Sequence, residues 1–174
     1  MLESCTKTGD GQVHCSVKKL QNDNYYADFL GDEQDLALLF LDIRNYTQLM
    51  EENPVYEVLY TIKQMLSSFA AVIDKHGGRI IEVSGDNIYA VFGLERSISE
   101  ATTDALKAAR KIFSVLNLMN ENKLFPQCTS KLEIGIGIHV GKVIIGYSDL
   151  DSSKRMTVTG LAVNIASRLQ AETK

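Results

Sequence analysis

Tryptophan is absent, proline occurs only twice, and the three cysteines, Cys5, Cys15 and Cys128, form no CxxC pair. An odd number of cysteines without metal-type spacing argues against a disulfide-stapled scaffold or a zinc ribbon. Cys5 with the adjacent His14 and Cys15 offers one metal combination; free thiols in a reducing cytosol explain the same residues more simply, and that is our reading. Long apolar runs are also missing. The longest, Leu36 to Leu41, has six residues, against roughly 20 needed to span a bilayer. No charged-then-apolar leader opens the chain. The expectation is a cytoplasmic segment without membrane contact of its own, either alone or as the cytoplasmic part of a larger or membrane-bound protein. Positive charge is in deficit, with 18 Lys and Arg against 22 Asp and Glu and a net charge of −4. That removes the electrostatic footprint of a nucleic-acid binder. A polyanionic ligand would need metal ions or helix N-termini to hold it.

What is present suits one domain. The length is 174 residues, 45% hydrophobic and 23% charged, ordinary values for a globular protein with a single core. Residues 1–34 lack periodicity and carry Gly, Asp, Asn, Lys and Ser. They read as a poorly ordered lead-in with a short helix near Tyr25 to Leu30. From Asp35 the pattern sharpens. A buried strand over Asp35 to Leu41 ends on Asp42, and Tyr46 to Glu51 starts a short helix. Asn53-Pro54 reads as the N-cap and first turn of a long helix. Its stripe is Val55, Val58, Leu59, Ile62, Met65, Leu66, Phe69 and Ile73, and Gly77-Gly78 stops it. Strands near 79–84 and 88–92 flank a Gly85-Asp86 hairpin turn. Ser97 and Glu100 have capping-box spacing and open a second long helix, to about Asn120, with its stripe from Ala101 to Leu116. A loop from Lys123 to Lys131 precedes a strand over Leu132 to Val140. Gly141-Lys142 reads as a turn held by His139, before a strand over Val143 to Tyr147. A polar loop at 149–154, a strand near Met156 to Thr159 and a helix over Ala162 to Ala171 complete the chain. Two β-α-β units with a hairpin between them predict an α+β, ferredoxin-like plan, its antiparallel-containing sheet covered by helices.

The chemistry concentrates at two acids. Asp42 at the end of a buried strand and Asp86 at a hairpin turn are hard oxygen ligands suited to Mg²⁺ or Mn²⁺. Backbone N–H groups from Ile43 to Thr47, at a helix start, could cradle phosphates. Asn164 and Arg168, four apart, share one helix face, and a fixed Arg stabilises charge in phosphoryl transfer. Singly, each has a plain structural explanation as a cap, a turn residue or a surface side chain. Their order along one chain is what carries the functional reading.

Phe40-Leu41-Asp42-Ile43-Arg44-Asn45-Tyr46-Thr47 resembles the F-x-D-I-x-x-[FY]-T signature of class III nucleotide cyclases. Gly77-Gly78 and Gly85-Asp86-Asn87-Ile88-Tyr89-Ala90-Val91-Phe92-Gly93 are similar to that family's second metal segment. Gly135-Ile136-Gly137-Ile138-His139-Val140-Gly141 is similar to its G-I-x-x-G stretch. Thr157-Val158-Thr159-Gly160 with Val163-Asn164-Ile165-Ala166-Ser167-Arg168-Leu169 resembles its T-x-x-G and V-N-x-A-x-R-L helix. Four motifs in order cover Asp35 to Lys174.

The resemblance implies a catalytic domain over residues 35–174 that forms a head-to-tail homodimer with two interfacial sites. Each site would hold two Mg²⁺ or Mn²⁺ ions on Asp42, Asp86 and the Ile43 carbonyl. Asn164 of the other subunit would orient the ribose of a nucleoside triphosphate, and Arg168 would meet the transition-state phosphate. Asn45, Tyr46 and Thr47 would lie along the phosphates, with Tyr46 packed beneath them. Glu82 and Thr157 occupy the two base-choosing positions. Glu82 suits guanine, whose N–H groups donate to a carboxylate, whereas Thr157 is commoner in bacterial adenylyl cyclases. The balance leans to guanine, because a carboxylate facing adenine N1 opposes two acceptors; adenine and a pyrimidine triphosphate stay open. Leu161 stands where the family has Asp, and Arg155-Met156 replace a usual Asp-Tyr. In the family, final strands and a phosphate-gripping Lys follow the position of Lys174. The alternative is therefore a catalytically weak or inactive cyclase-like signalling module.

Overall fold

The computed structural model describes residues 4–7, 13–16, 31–122, 131–148 and 155–173. Ser4–Lys7 (β1) and Val13–Ser16 (β2) pair antiparallel as a separate two-stranded sheet. The expected helix at 25–30 and the loop segments at 123–130 and 149–154 lie outside the described residues.

The main sheet contains β3 (Asp32–Ile43), β4 (Gly78–Ser84), β5 (Asn87–Phe92), β6 (Ile134–Ser148) and β7 (Arg155–Thr159), in the order β4-β5-β3-β6-β7. Every neighbouring pair is antiparallel. The helices are α1 (Tyr46–Glu52), α2 (Val55–Lys75), α3 (Ile98–Glu121) and α4 (Leu161–Glu172). Two β-α-β units set β3 and β5 side by side at the centre, which is the expected α+β, ferredoxin-like arrangement.

Strand alternation divides β3 between two cores. Ala37, Leu39, Leu41 and Ile43 enter the cluster built with α2 and α3. Leu36 and Leu38 enter a second cluster with Tyr89, Val91, Val158, Ala162 and Ala166, under α4. Each fully buried Leu or Ile contributes about 1.5–3 kcal/mol, so this strand holds both faces of the domain together. The capping box at Ser97 is present, the Glu100 carboxylate accepting from the Ser97 N–H and hydroxyl while the Ser97 oxygen accepts from the Glu100 N–H. Gly77, at φ +76°, ends α2 as expected.

Four local expectations need correction. Val55 and Leu59 are 47% and 45% exposed, and Thr61 is buried instead. At 100° per residue, Leu59 falls roughly 80° from the centre of the buried stripe, and Val55 opens the helix before the stripe begins. Asn53 caps the end of α1 rather than the start of α2, its Nδ2 donating to the Leu49 carbonyl at 3.0 Å. The residue before a proline is pushed toward extended backbone, and Asn53 sits at φ −133°, ψ 160°. Gly141-Lys142 is no turn. It lies inside the continuous 15-residue β6, with Gly141 opposite Leu36 and Lys142 opposite Asp35. For the same reason His139 holds no turn; it sits mid-strand opposite Leu38.

Candidate active site

On β3 the even-numbered side chains face α4. Leu36 and Leu38 are in that core, Phe40 stacks on Tyr89 with ring centroids 4.4 Å apart, and Asp42 ends the row. Asp42 is the register partner of Asn87, and Ser84 also pairs with Asn87 across a two-residue turn. Gly85 supplies the positive φ, +59°, at the first turn position. The turn therefore sets Asp86 beside Asp42.

The two carboxylates act on each other. Burial, and next the charge of Asp86, push the Asp42 carboxyl above its ordinary range, while Arg44 and the side-chain amide of Gln170 pull the other way. Arg44 Nη1 stands 3.8 Å from Asp42 Oδ2. A pair of adjoining, partly buried acids is a place where a divalent cation gains from both. Among the described residues no third His, Cys, Asp or Glu joins them. Further ligands would have to be carbonyl, water or phosphate oxygens, the set that Mg²⁺ commonly takes. The donor chemistry fits Mg²⁺ or Mn²⁺. The Ile43 side chain is sealed in the core at 1% exposure, which leaves only its carbonyl for such a role.

The chain then enters α1 through Asn45, the one non-glycine residue in the left-handed region among those described (φ 56°, ψ 28°). No side chain caps α1, so N–H groups of its first turn are unclaimed by a cap. Thr47 is exposed, and Tyr46 is half-buried against the first core. Tyr46 also lines a cavity of about 480 Å³ with Leu59, Val83 and Gly85.

Glu82 lies on β4, exposed and paired with Tyr89 just after a bulge at Ile81. Thr157 is half-buried on β7 opposite Gly146. These strands are at opposite edges of the sheet, yet their Cα atoms come within 8 Å. The sheet curls about the second core, where the Tyr89 hydroxyl donates to the Val158 carbonyl at 3.5 Å.

Asn164 and Arg168 are both exposed on α4. The helix buries Ala162, Ala166 and Gln170, and a shift of two residues turns a side chain about 200° around the axis. The pair therefore points away from its own sheet. Among the described residues neither makes a hydrogen bond or ion pair, so one chain does not bring them to Asp42 and Asp86. Two residues near the acids were not foreseen, Arg44 and Gln170. The signal for Arg44 was its spacing of two from Asp42 at a strand end; Gln170 gave none, because it resembles any polar residue late in a helix.

An adenylate cyclase of Anabaena cylindrica is 34% identical over 143 residues, covering 80% of this chain and 27% of the relative. The chain thus spans about a quarter of that protein's length. The guanylyl cyclase Cya2 superposes with a TM-score of 0.76 at 28% identity, over 83% of this chain and 73% of that one. The adenylyl cyclase CyaB from P. aeruginosa also gives 0.76, at 25% identity, over 82% and 74%. Residues 31–174 match the family model of the adenylate and guanylate cyclase catalytic domain, and the chain belongs to that family.

Proposed function

We propose that this domain converts a purine nucleoside triphosphate, GTP in preference to ATP, to its 3′,5′-cyclic monophosphate at two sites shared between two copies of the chain. The observation that carries the reading is a separation: Asp42 and Asp86 adjoin at one sheet end, whereas Asn164 and Arg168 face outward on α4. A site needing both halves is completed by a second copy. Leu161, 74% exposed on the same helix and roughly 40° around the axis from that pair, gives that face apolar surface to bury.

In this reading the Asp42 and Asp86 carboxylates and the Ile43 carbonyl would hold the metal ions, two per site. When bound, Mg²⁺ or Mn²⁺ supplies charge that acidifies the ribose 3′-hydroxyl and holds the pyrophosphate. The main-chain N–H groups of Asn45, Tyr46 and Thr47 lie along the phosphates. Asn164 orients the ribose, and the Arg168 guanidinium neutralises charge on the equatorial oxygens of the α-phosphate. The 3′-oxygen forms a bond to the α-phosphorus as the α–β bridging P–O bond breaks. The hydroxyl proton goes to solvent and pyrophosphate leaves. Glu82 accepts from the guanine N–H groups, with Thr157 beside it. The approach of β4 to β7 supports their acting together from one subunit.

The test is to incubate the chain with Mn²⁺ and each of the four triphosphates, and to separate the products by chromatography. Cyclic GMP as the main product is expected. If no triphosphate is cyclised, even by a chain extended beyond Lys174, the enzymatic reading falls.

A further inference from the structure

Arg44 occupies an unusual place between the two halves of the site. Its Nη1 is 3.8 Å from Asp42, but Nη2 makes shorter contacts elsewhere. It donates to the Gln170 carbonyl at 2.7 Å, to Thr173 Oγ1 at 2.5 Å and to the Thr173 carbonyl. These acceptors close the end of α4, where the helix dipole is negative and the Gln170 carbonyl also accepts from the Thr173 N–H and hydroxyl. The guanidinium lies on the bare backbone of Gly135, where any Cβ would collide with it. Gln170 reinforces the link: the residue is 93% buried and influences Asp42, although Nε2 has no hydrogen-bond partner among the described residues. The side chain that follows the metal-strand acid by two residues is thus fastened to the helix bearing Asn164 and Arg168.

We propose that Arg44 is a positioning residue that acts through α4 and thereby couples the two sites of the dimer. This rests on the split-site reading above. In such a dimer, Asp42 and α4 of one subunit serve different sites, so one guanidinium bridges both. The hydrogen bonds to α4 are within bonding distance and the contact to Asp42 is not. Arg44 therefore belongs functionally with Arg168, despite its place in the chain beside Asp42.

Mixed dimers test this, since the two assignments predict opposite patterns. Arg44→Gln alone is expected to lower kcat about 10–100-fold with little change in KM, the range seen when a supporting partner is removed. Mixed with Asp42→Ala, the Arg44→Gln subunit should restore activity, because one site then has intact carboxylates and an intact α4. Mixed with Arg168→Ala it should not, because each site carries one damaged helix. The reverse pattern would assign Arg44 to its own Asp42 and overturn the proposal. Failure with both partners would mark a folding defect and also overturn it; Arg44→Lys, which keeps the charge but not the fork, should behave like a milder Arg44→Gln. The control mixture of Asp42→Ala with Arg168→Ala must regain activity; if it does not, the split site itself is wrong. Amide hydrogen exchange gives a readout apart from turnover. Mn²⁺ alone should alter exchange across residues 161–172 in the unmutated chain and not in Arg44→Gln, and an unchanged α4 in the unmutated chain would remove the coupling.

Discussion

Asp42 and Asp86 are 44 positions apart in the chain and neighbours in space, because Asn87 pairs with Asp42 and the turn residue before it is Asp86. Burial and mutual repulsion raise the proton affinity of Asp42 in the folded state. An acid whose folded pKa exceeds its unfolded one binds more protons when folded, so stability falls as pH rises between the two values. The lower edge of that window is the ordinary value of 3.8. Without metal, the chain should therefore lose stability as pH rises from 3.8 through the raised Asp42 pKa. Asp86→Asn removes one repelling charge and Asp42→Asn removes the titrating group, so each should flatten that part of the profile. Urea melts in EDTA at a series of pH values, taken as differences from the unmutated chain, measure the effect. Arg44 works against the shift, so Arg44→Gln should steepen it. A profile that Asp42→Asn leaves unaltered would mean the two acids do not interact.

In the proposed function, base choice turns on Glu82. A carboxylate accepts hydrogen bonds and cannot donate them, whereas a lysine ammonium can only donate. Charged hydrogen bonds of this type are worth about 1.5–3 kcal/mol, or on the order of 10–100-fold in discrimination. Glu82→Lys should shift the ratio of kcat/KM for GTP over ATP by that factor toward ATP. Glu82 is exposed on β4, so the fold should tolerate the change and melting should be almost unaffected. An unchanged ratio would make Glu82 an outward strand residue without a part in recognition.

Stability far from the site offers a separate check. The Ser97 oxygen accepts from the Glu100 N–H at 3.4 Å, and the Glu100 carboxylate accepts from the Ser97 hydroxyl at 2.7 Å. The Ser97 hydroxyl, and next the Ser97 N–H donating to the same carboxylate at 3.2 Å, hold the Glu100 carboxyl below its usual range. Ser97→Ala removes both bonds of the Ser97 hydroxyl and should destabilise by about 1 kcal/mol. For a chain of this size that lowers Tm by about 2–4 °C, with kcat unchanged. Calorimetry beside a turnover assay reads both quantities.

The elements legible in the sequence are those where a local rule agrees with the tertiary packing. The capping box at Ser97, the Gly77 stop and the Gly85-Asp86 turn need only neighbouring residues to form. Asn53-Pro54 misled because two helix ends meet there, and the side chain serves the earlier one. The glycines of β6 misled for a tertiary reason. Gly141 resembles turn punctuation, but Gly135, Gly137 and Gly141 all lie on the strand face that α4 covers, each opposite an even-numbered β3 residue. Their smallness serves a helix that begins 20 or more residues later in sequence. Arg44 and Gln170 escaped for the same reason, since their partners are set by how α4 lies on β6. Asp42, Asp86, Asn164 and Arg168 stood out through their motifs, whereas no rule of periodicity could say that the last two point away from their own sheet.

Gly137 is the most demanding of those close approaches. A Cβ there would meet the Gln170 main-chain nitrogen, the Ala166 carbonyl oxygen at 2.5 Å and the Gln170 Cα at 2.8 Å. Backbone cannot swing aside as a side-chain tip can, so Gly137→Ala must lift α4 from β6. Overpacking of this kind destabilises by about 1–3 kcal/mol, so Tm should fall by several degrees. Because the displaced helix carries Asn164 and Arg168, kcat should fall with it while Mn²⁺ binding at Asp42 and Asp86 persists. Gly85→Ala separates strain from collision: nothing lies within 4 Å of its Cβ position, and only the φ of +59° opposes it. It should destabilise by about 1–2 kcal/mol and disturb the turn that places Asp86, so that Mn²⁺ binding weakens first. Thermal shifts with and without Mn²⁺ distinguish the two variants, and a Gly137→Ala chain with unchanged turnover would show that the seat of α4 on β6 does not govern the action of Asn164 and Arg168.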